Sequence, residues 1–380
     1  MNFHTPDAAP ADIPRQWTPH WSPEQTDPSL PPITLIHDPD DRPAHTTTAL
    51  AAHQPAHGRI TVHPTPLATA PAYLAHDLIR ALGKHLPPPD IEPPWWVKNA
   101  DEAWRVVAAW TQALGISHYI VCRAHRITGR HLEHLMALRE RTRIHLTLVV
   151  SGPPPGALTG ILNAVAHSQL DTLEAAHRHL NTAHDTSPPP ADRYPWWQPA
   201  PFPTPHDEPW YQLPRRPRRP AGLPYDSTTR LPSSDNPPNA ITLPALTHPA
   251  DTSPHHETVA RRIHTRVGHP LHAAAVAIRA LAGYGTDQLT RLTIPTPHHP
   301  QADLPADLPH WAHLLLEAAR LHTDLQAFIR RDLPAHHSGA NRPFRFTDWE
   351  LDHVAHATET CHLVAVPVTR RTKTSRKSRR

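Results

Sequence analysis

The sequence predicts an α/β protein: a three-layer parallel sheet with helical crossovers, followed by a proline-rich linker and a small all-α region. Three observations carry this. Between residues 115 and 156, two apolar runs at 119–122 and 146–150 flank a helix-spaced set, Leu132, Leu135, Met136 and Leu138. Strand, helix, strand at that spacing is how parallel strands are joined. The chain holds 50 prolines but only 12 glycines in 380 residues. Proline recurs most densely through 183–256, and a segment without those N–H donors cannot build ladders or helices. Beyond it, apolar residues return at helical spacing.

Residues 1–30, with Trp17 and Trp21 among prolines, read as an extended tail. The α/β domain is expected over 31–182. It begins with a short edge strand at 33–37 ahead of the turn Asp38-Pro39-Asp40-Asp41. A strand at 59–63 follows, then a proline-broken loop and a helix at 72–85 carried by Tyr73, Leu74, Leu78, Ile79 and Leu82. Asn99 caps a helix over 100–114 with Ala103, Val106, Val107, Trp110 and Leu114 on one face. Asp101 and Glu102 open that helix, where acids complement the macrodipole, and are not expected to bind metal. After the second apolar run, Ser151-Gly152-Pro153-Pro154-Pro155-Gly156 leads into one helix running from about Ala157 to Leu180.

The linker, 183–256, carries Trp196, Trp197, Trp210, Tyr211 and the basic knot Arg215, Arg216, Arg218 and Arg219, which suits extended contacts with a protein partner. A helical domain is expected over 257–366. It contains a break at Gly283-Tyr284-Gly285, a helix-turn-helix outline, and an amphipathic helix at 311–329. The last segment, 367–380, is basic: Arg370, Arg371, Lys373, Arg376, Lys377, Arg379 and Arg380 exceed the formal charge of +3, so the remainder is net acidic. These cations can displace counterions from DNA without reading sequence.

Two cysteines, Cys122 and Cys361, fit a reducing cytoplasm and argue against a disulfide framework. No apolar run approaches the ~18 residues that span a bilayer. The 35 histidines make ligand-like spacings such as His118, Cys122 and His125 frequent by chance, so no metal is expected. The chain has no Gly-x-Ser-x-Gly elbow of a serine hydrolase.

The letters HYIVCRAHRITGRHLEHLMALRERTRIHLTLVVSG resemble the middle of an AAA-type P-loop ATPase of the DNA-transposition-helper kind. In that family a strand ends in Asp-Glu-Ala-His and the next ends at a polar sensor. Here Cys122 and Arg123 stand where the acids would be, and Ser151 stands at the sensor position. The acidic pair holds Mg²⁺ and orients water, which a thiol and a guanidinium cannot do. The resemblance implies a P-loop NTPase-type sheet whose phosphate loop follows the strand at 59–63. Gly58 and Gly83 enclose no glycine and no lysine, while Pro64, Pro66 and Pro71 delete donors.

The expectation is therefore a non-hydrolysing P-loop-like protein with no cofactor, acting as a DNA-associated or scaffolding factor through residues 370–380. Two alternatives stand beside it. One is a divergent ATPase binding ATP through Thr65, Thr69 or Ser151, with an acid such as Asp77. The other is an interaction scaffold working through the Pro/Trp linker.

Overall fold

The computed structural model describes residues 27–86 except Leu67, 95–181, 254–282 and 308–330, together with a few isolated positions. Five strands, β1 (Ile33–Asp38), β2 (Arg59–Val62), β3 (His118–Val121), β4 (His145–Ser151) and β5 (His167–Leu170), form one sheet in the order β2-β3-β4-β1-β5. Every pairing is parallel. The three runs at 59–63, 119–122 and 146–150 thus lie side by side, as their sequence required.

Alternation along the strands assigns their two faces. Leu35, Ile60, Val62, Tyr119, Val121, Leu146, Leu148 and Val150 face one hydrophobic cluster, and Ile36, Ile120, Cys122 and Val149 face another. The first face is covered by α2 (Pro71–Ala81), α4 (Ala100–Ala113), α5 (Gly129–Thr142) and α6 (Gly156–Ala164); the second by α1 (Pro43–Ala51) and α7 (Leu173–Asn181). A one-turn helix, α3 (Trp95–Lys98), packs on α4. Asn99 caps α4 as its sequence predicts, accepting the Glu102 N–H at 3.1 Å.

Three expectations need correction. Residues 33–38 are not an edge strand: β1 pairs with β4 on one side and β5 on the other. Its shortness suggested an edge, yet Ile33, Leu35 and Ile36 are fully buried, as a strand covered on both faces requires. The single helix expected over 157–180 is instead α6, then β5, then α7. The His167–Leu170 strand is mostly exposed and does not alternate, so only its ladder with β1 makes it a strand. The helix expected at 72–85 closes at Ala81, where Gly83 turns left-handed at φ 75°.

The C-terminal helices α8 (Pro254–Arg266), α9 (Pro270–Ala282) and α10 (His310–Arg330) continue the larger hydrophobic cluster. α10 packs on both α9 and α4. Every residue from Glu102 to Thr111 is buried, because α4 lies between the sheet and these helices. The linker up to residue 253, the basic tail, and most of the turn and second helix of the helix-turn-helix outline lie outside the described residues.

Candidate functional site at the carboxyl edge of the sheet

The chain leaves β1 for α1 on one face and leaves β4 for α6 on the other, so the sheet's topology reverses between β1 and β4. In open α/β sheets, ligands bind in the crevice beyond the strand ends at such a point. Asp38 and Ser151, paired across β1 and β4, stand at its base.

Pro43 sits in the first turn of α1, where its missing N–H costs nothing. The preceding turn is closed by Asp41 N–H donating to the Asp38 carbonyl at 3.3 Å, with Asp41 at φ 51°, a conformation acids tolerate better than most side chains. Opposite, the chain leaves β3 through Arg123, also left-handed at φ 50°, and a single 3₁₀ turn at Ala124–Arg126. These two turns bring Asp41, Arg123, His125 and Ser151 together.

Asp41 faces Ser151, and this neighbour together with the nearby Arg123, His125 and Arg126 charges holds the Asp41 carboxyl below its usual range. Arg123 Nη2 lies 3.9 Å from Asp41 Oδ1. The Ser151 N–H donates to His125 Nδ1 at 3.0 Å. Burial and the Arg126 charge push His125 down, which keeps that nitrogen free to accept. Gly152, at φ 69°, donates its N–H to the Asp38 carbonyl at 3.1 Å, and its own carbonyl lies 3.1 Å from His37 Nε2. Below, the buried Asp38 and His45 face each other at 3.4 Å.

This arrangement receives a carboxylate and leaves little else to react. The Asp41 carboxylate stands beside Ser151 and faces the guanidinium that an incoming anion would seek. The loop Asp38-Pro39-Asp40-Asp41-Arg42-Pro43 has no glycine and no lysine, and its two prolines remove donors. Arg42 is paired with Asp40. Cys122 offers no nucleophile, since burial pushes its thiol up to about 12. His125 engages the backbone of Ser151 and not its hydroxyl, so no serine–histidine relay is assembled.

Of the residues expected to bind a cofactor, Ser151 lies at this crevice, while Thr65 and Thr69 do not join it. They occupy the loop after β2, the outermost strand, with β3 and β4 between it and β1. Thr65 donates through its N–H and its hydroxyl to the two Asp77 carboxyl oxygens, each at 2.7 Å, and Thr69 is exposed. Burial raises the Asp77 pKa against these hydrogen bonds. The hollow beside them, lined by Thr65, Tyr73, Asp77, Arg126 and His131, opens to solvent and encloses only about 10 Å³, room for one water molecule. Ligand pockets typically measure ~300–1,000 Å³. Asp41 and His125 were absent from the sequence-based set. The signal that could have found Asp41 is the loop after β1, once 33–38 is read as a central strand; His125 follows β3 directly.

No helix among the described residues is long and apolar enough to cross a membrane. No protein-family model, no curated protein and no solved structure matches the chain.

Proposed function

We propose that this chain is a P-loop-type α/β protein that does not hydrolyse nucleotide and serves as a DNA-associated or scaffolding accessory factor. The observation that carries the reading is Asp41. Its carboxylate stands at the crevice of the topological switch point, next to Ser151 and facing Arg123. Like-charge repulsion from Asp38, Asp40 and Asp41 works against a triphosphate there, and the loop has none of the glycines that would aim N–H groups at one. The acidic pair implied by the resemblance is replaced by Cys122 and Arg123, so Mg²⁺ has no carboxylate at that strand end. The divergent-ATPase alternative is weakened because both Asp77 oxygens are engaged by Thr65.

The DNA contact is assigned to Arg370, Arg371, Lys373, Arg376, Lys377, Arg379 and Arg380 on their charge density. Two binding assays on the full chain test the proposal. Labelled ATP with Mg²⁺ is expected not to bind; tight, Mg²⁺-dependent binding overturns the non-hydrolysing reading. Duplex DNA of arbitrary sequence is expected to bind at low salt, weaken steeply as salt rises, and dissociate when 370–380 are removed. Absence of DNA binding at low salt would leave scaffolding, through the Pro/Trp linker at 183–256, as the role.

A further inference from the structure

A second polar cluster lies away from the sheet edge, where α4 meets the C-terminal helices. Glu102, in the first turn of α4, divides its two carboxyl oxygens between different partners. Oε2 accepts from Arg105 Nε at 3.0 Å and from Arg105 Nη2. Oε1 faces His322 Nε2 of α10 at 2.8 Å and His269 Nε2, in the turn before α9, at 3.6 Å. All three side chains are buried: Glu102 is 1% exposed, His269 4% and His322 0%. The two imidazoles stand edge to face with centroids 4.7 Å apart, and the three potential ligand atoms all lie within 4.8 Å of one another.

We propose that Glu102, His269 and His322 form a zinc-binding site that clasps α9 and α10 onto α4. Zinc bonds imidazole nitrogen and carboxylate oxygen at about 2.0–2.2 Å, which places tetrahedral ligands roughly 3.3 Å apart. The two observed carboxylate–imidazole separations, 2.8 and 3.6 Å, bracket that edge, and the two ring nitrogens lie within 4.8 Å of each other, so an ion fits once they close by up to about 1.5 Å. Arg105 fixes the carboxylate so that one oxygen is presented, as an outer partner of a metal-bound carboxylate does.

The competing arrangement is a dry ion pair in which His322 is an imidazolium against Glu102 and Arg105. The Nδ1 atoms of His269 and His322 have no hydrogen-bond partner, and they lack one in either arrangement, so they do not decide between the two. What favours the metal is convergence: two imidazoles aim the same ring nitrogen at one oxygen. An ion pair needs only one of them. Three protein ligands leave one position, which burial restricts to a water molecule. Because Glu102 and His322 are 220 residues apart, a bound ion ties α10 to α4 and couples their docking to metal affinity.

With 35 histidines in the chain, loose zinc binding is expected everywhere, so the test reads one tight equivalent. Full-length protein is stripped with chelator, then titrated with Zn²⁺ by calorimetry and with Co²⁺ by visible absorption. The expected result is one tight equivalent with the intense absorption of tetrahedral cobalt, and a higher unfolding temperature with one equivalent of zinc. Glu102→Gln and His269→Asn should each weaken that equivalent by about 100-fold or more. His269 makes the longer contact, so its variant serves if Glu102→Gln fails to fold. A wild-type cobalt spectrum without tetrahedral bands, or equal zinc affinity in the wild type and a folded variant, overturns the proposal and leaves the ion pair.

Discussion

The Lys84 ammonium group lies 2.9 Å from His264 Nδ1 and 3.0 Å from the His264 carbonyl oxygen, and sits 3.5 Å from the Trp110 ring centroid. Lys84 follows α2 and His264 belongs to α8, so one side chain bridges 180 residues of sequence. The same seam is closed by Trp110 Nε1–H donating to the Gly268 carbonyl at 2.7 Å and His85 N–H donating to the Thr265 carbonyl at 2.6 Å. Gly268 leaves no room for a side chain there: a Cβ would come within 2.9 Å of the His85 carbonyl oxygen. The C-terminal helices are therefore keyed to the α/β layer by polar contacts inside an apolar seam.

Lys84 should accordingly be a stability determinant despite its charge. It is 1% exposed, and burial pushes its amine well below the usual lysine range. Lys84→Ala removes the packed stem as well as both contacts to His264 and is expected to cost about 3 kcal/mol. Lys84→Met keeps the volume and should recover at least half of that. Urea unfolding midpoints of the two variants decide it, and a loss under about 1 kcal/mol for alanine would mean that the seam is not a stabilising contact.

Acid should loosen the same seam. Burial lowers His264 well below 6.5, the second cause being the Lys84 charge, and it lowers His269 to about 4. His76, at 3.0 Å from the Val97 carbonyl, is likewise lowered to about 4 by burial. In each case the unfolded chain binds the proton more readily than the folded one, so their stabilisation is complete above about pH 6.5 and is lost as pH falls toward 4. His76 and His269 each contribute up to about 3 kcal/mol to that loss. Stability measured by denaturant titration from pH 7.5 to 4.5 should fall steadily below 6.5. A flat profile would show that these rings take up protons as readily in the fold as in the unfolded chain.

The sheet was legible where burial and secondary structure left the same trace. The runs at 119–122 and 146–150 are apolar because both faces of β3 and β4 are covered, and Asn99 announces α4 by its own chemistry. β5 left no trace, because His167, Ser168 and Gln169 are exposed and their strand exists only through pairing with β1. β1 was legible as a strand but not as a central one, since six residues do not reveal how many neighbours they have. That misplacement also hid the candidate site, because the loop beyond β1, and not the loop beyond β2, reaches the switch point. The Glu102 cluster was illegible for another reason: its members come from α4, α10 and the turn before α9, and only the fold makes them neighbours.

The Asp41–Ser151 contact can be examined without any ligand. The hydroxyl of Ser151 is the largest cause of the depressed Asp41 carboxyl, ahead of the Arg123 charge. Ser151→Ala should therefore raise the Asp41 pKa toward the ordinary ~3.9, while Arg123→Gln should raise it less. Carbon-detected NMR titration of the side-chain carboxyl reads both. An Asp41 value unmoved by Ser151→Ala would mean that the serine hydroxyl does not hold the carboxylate, and the occupied-crevice reading would lose its anchor.

The cysteines offer the last test, because Cys122 follows β3 directly beside the crevice. Burial pushes the thiols of both Cys122 and Cys361 up to about 12, and neither forms a disulfide. At pH 8 a thiol with that pKa is ionised to about one part in ten thousand, and thiolate is the form that attacks alkylating reagents. In the native protein both should resist iodoacetamide, as counted by mass spectrometry, and both should be alkylated within minutes in denaturant. Selective native labelling of Cys122 would instead reveal an open path to the end of β3, and with it a reactive group at the crevice that the closed arrangement of Asp41, Arg123 and Ser151 denies.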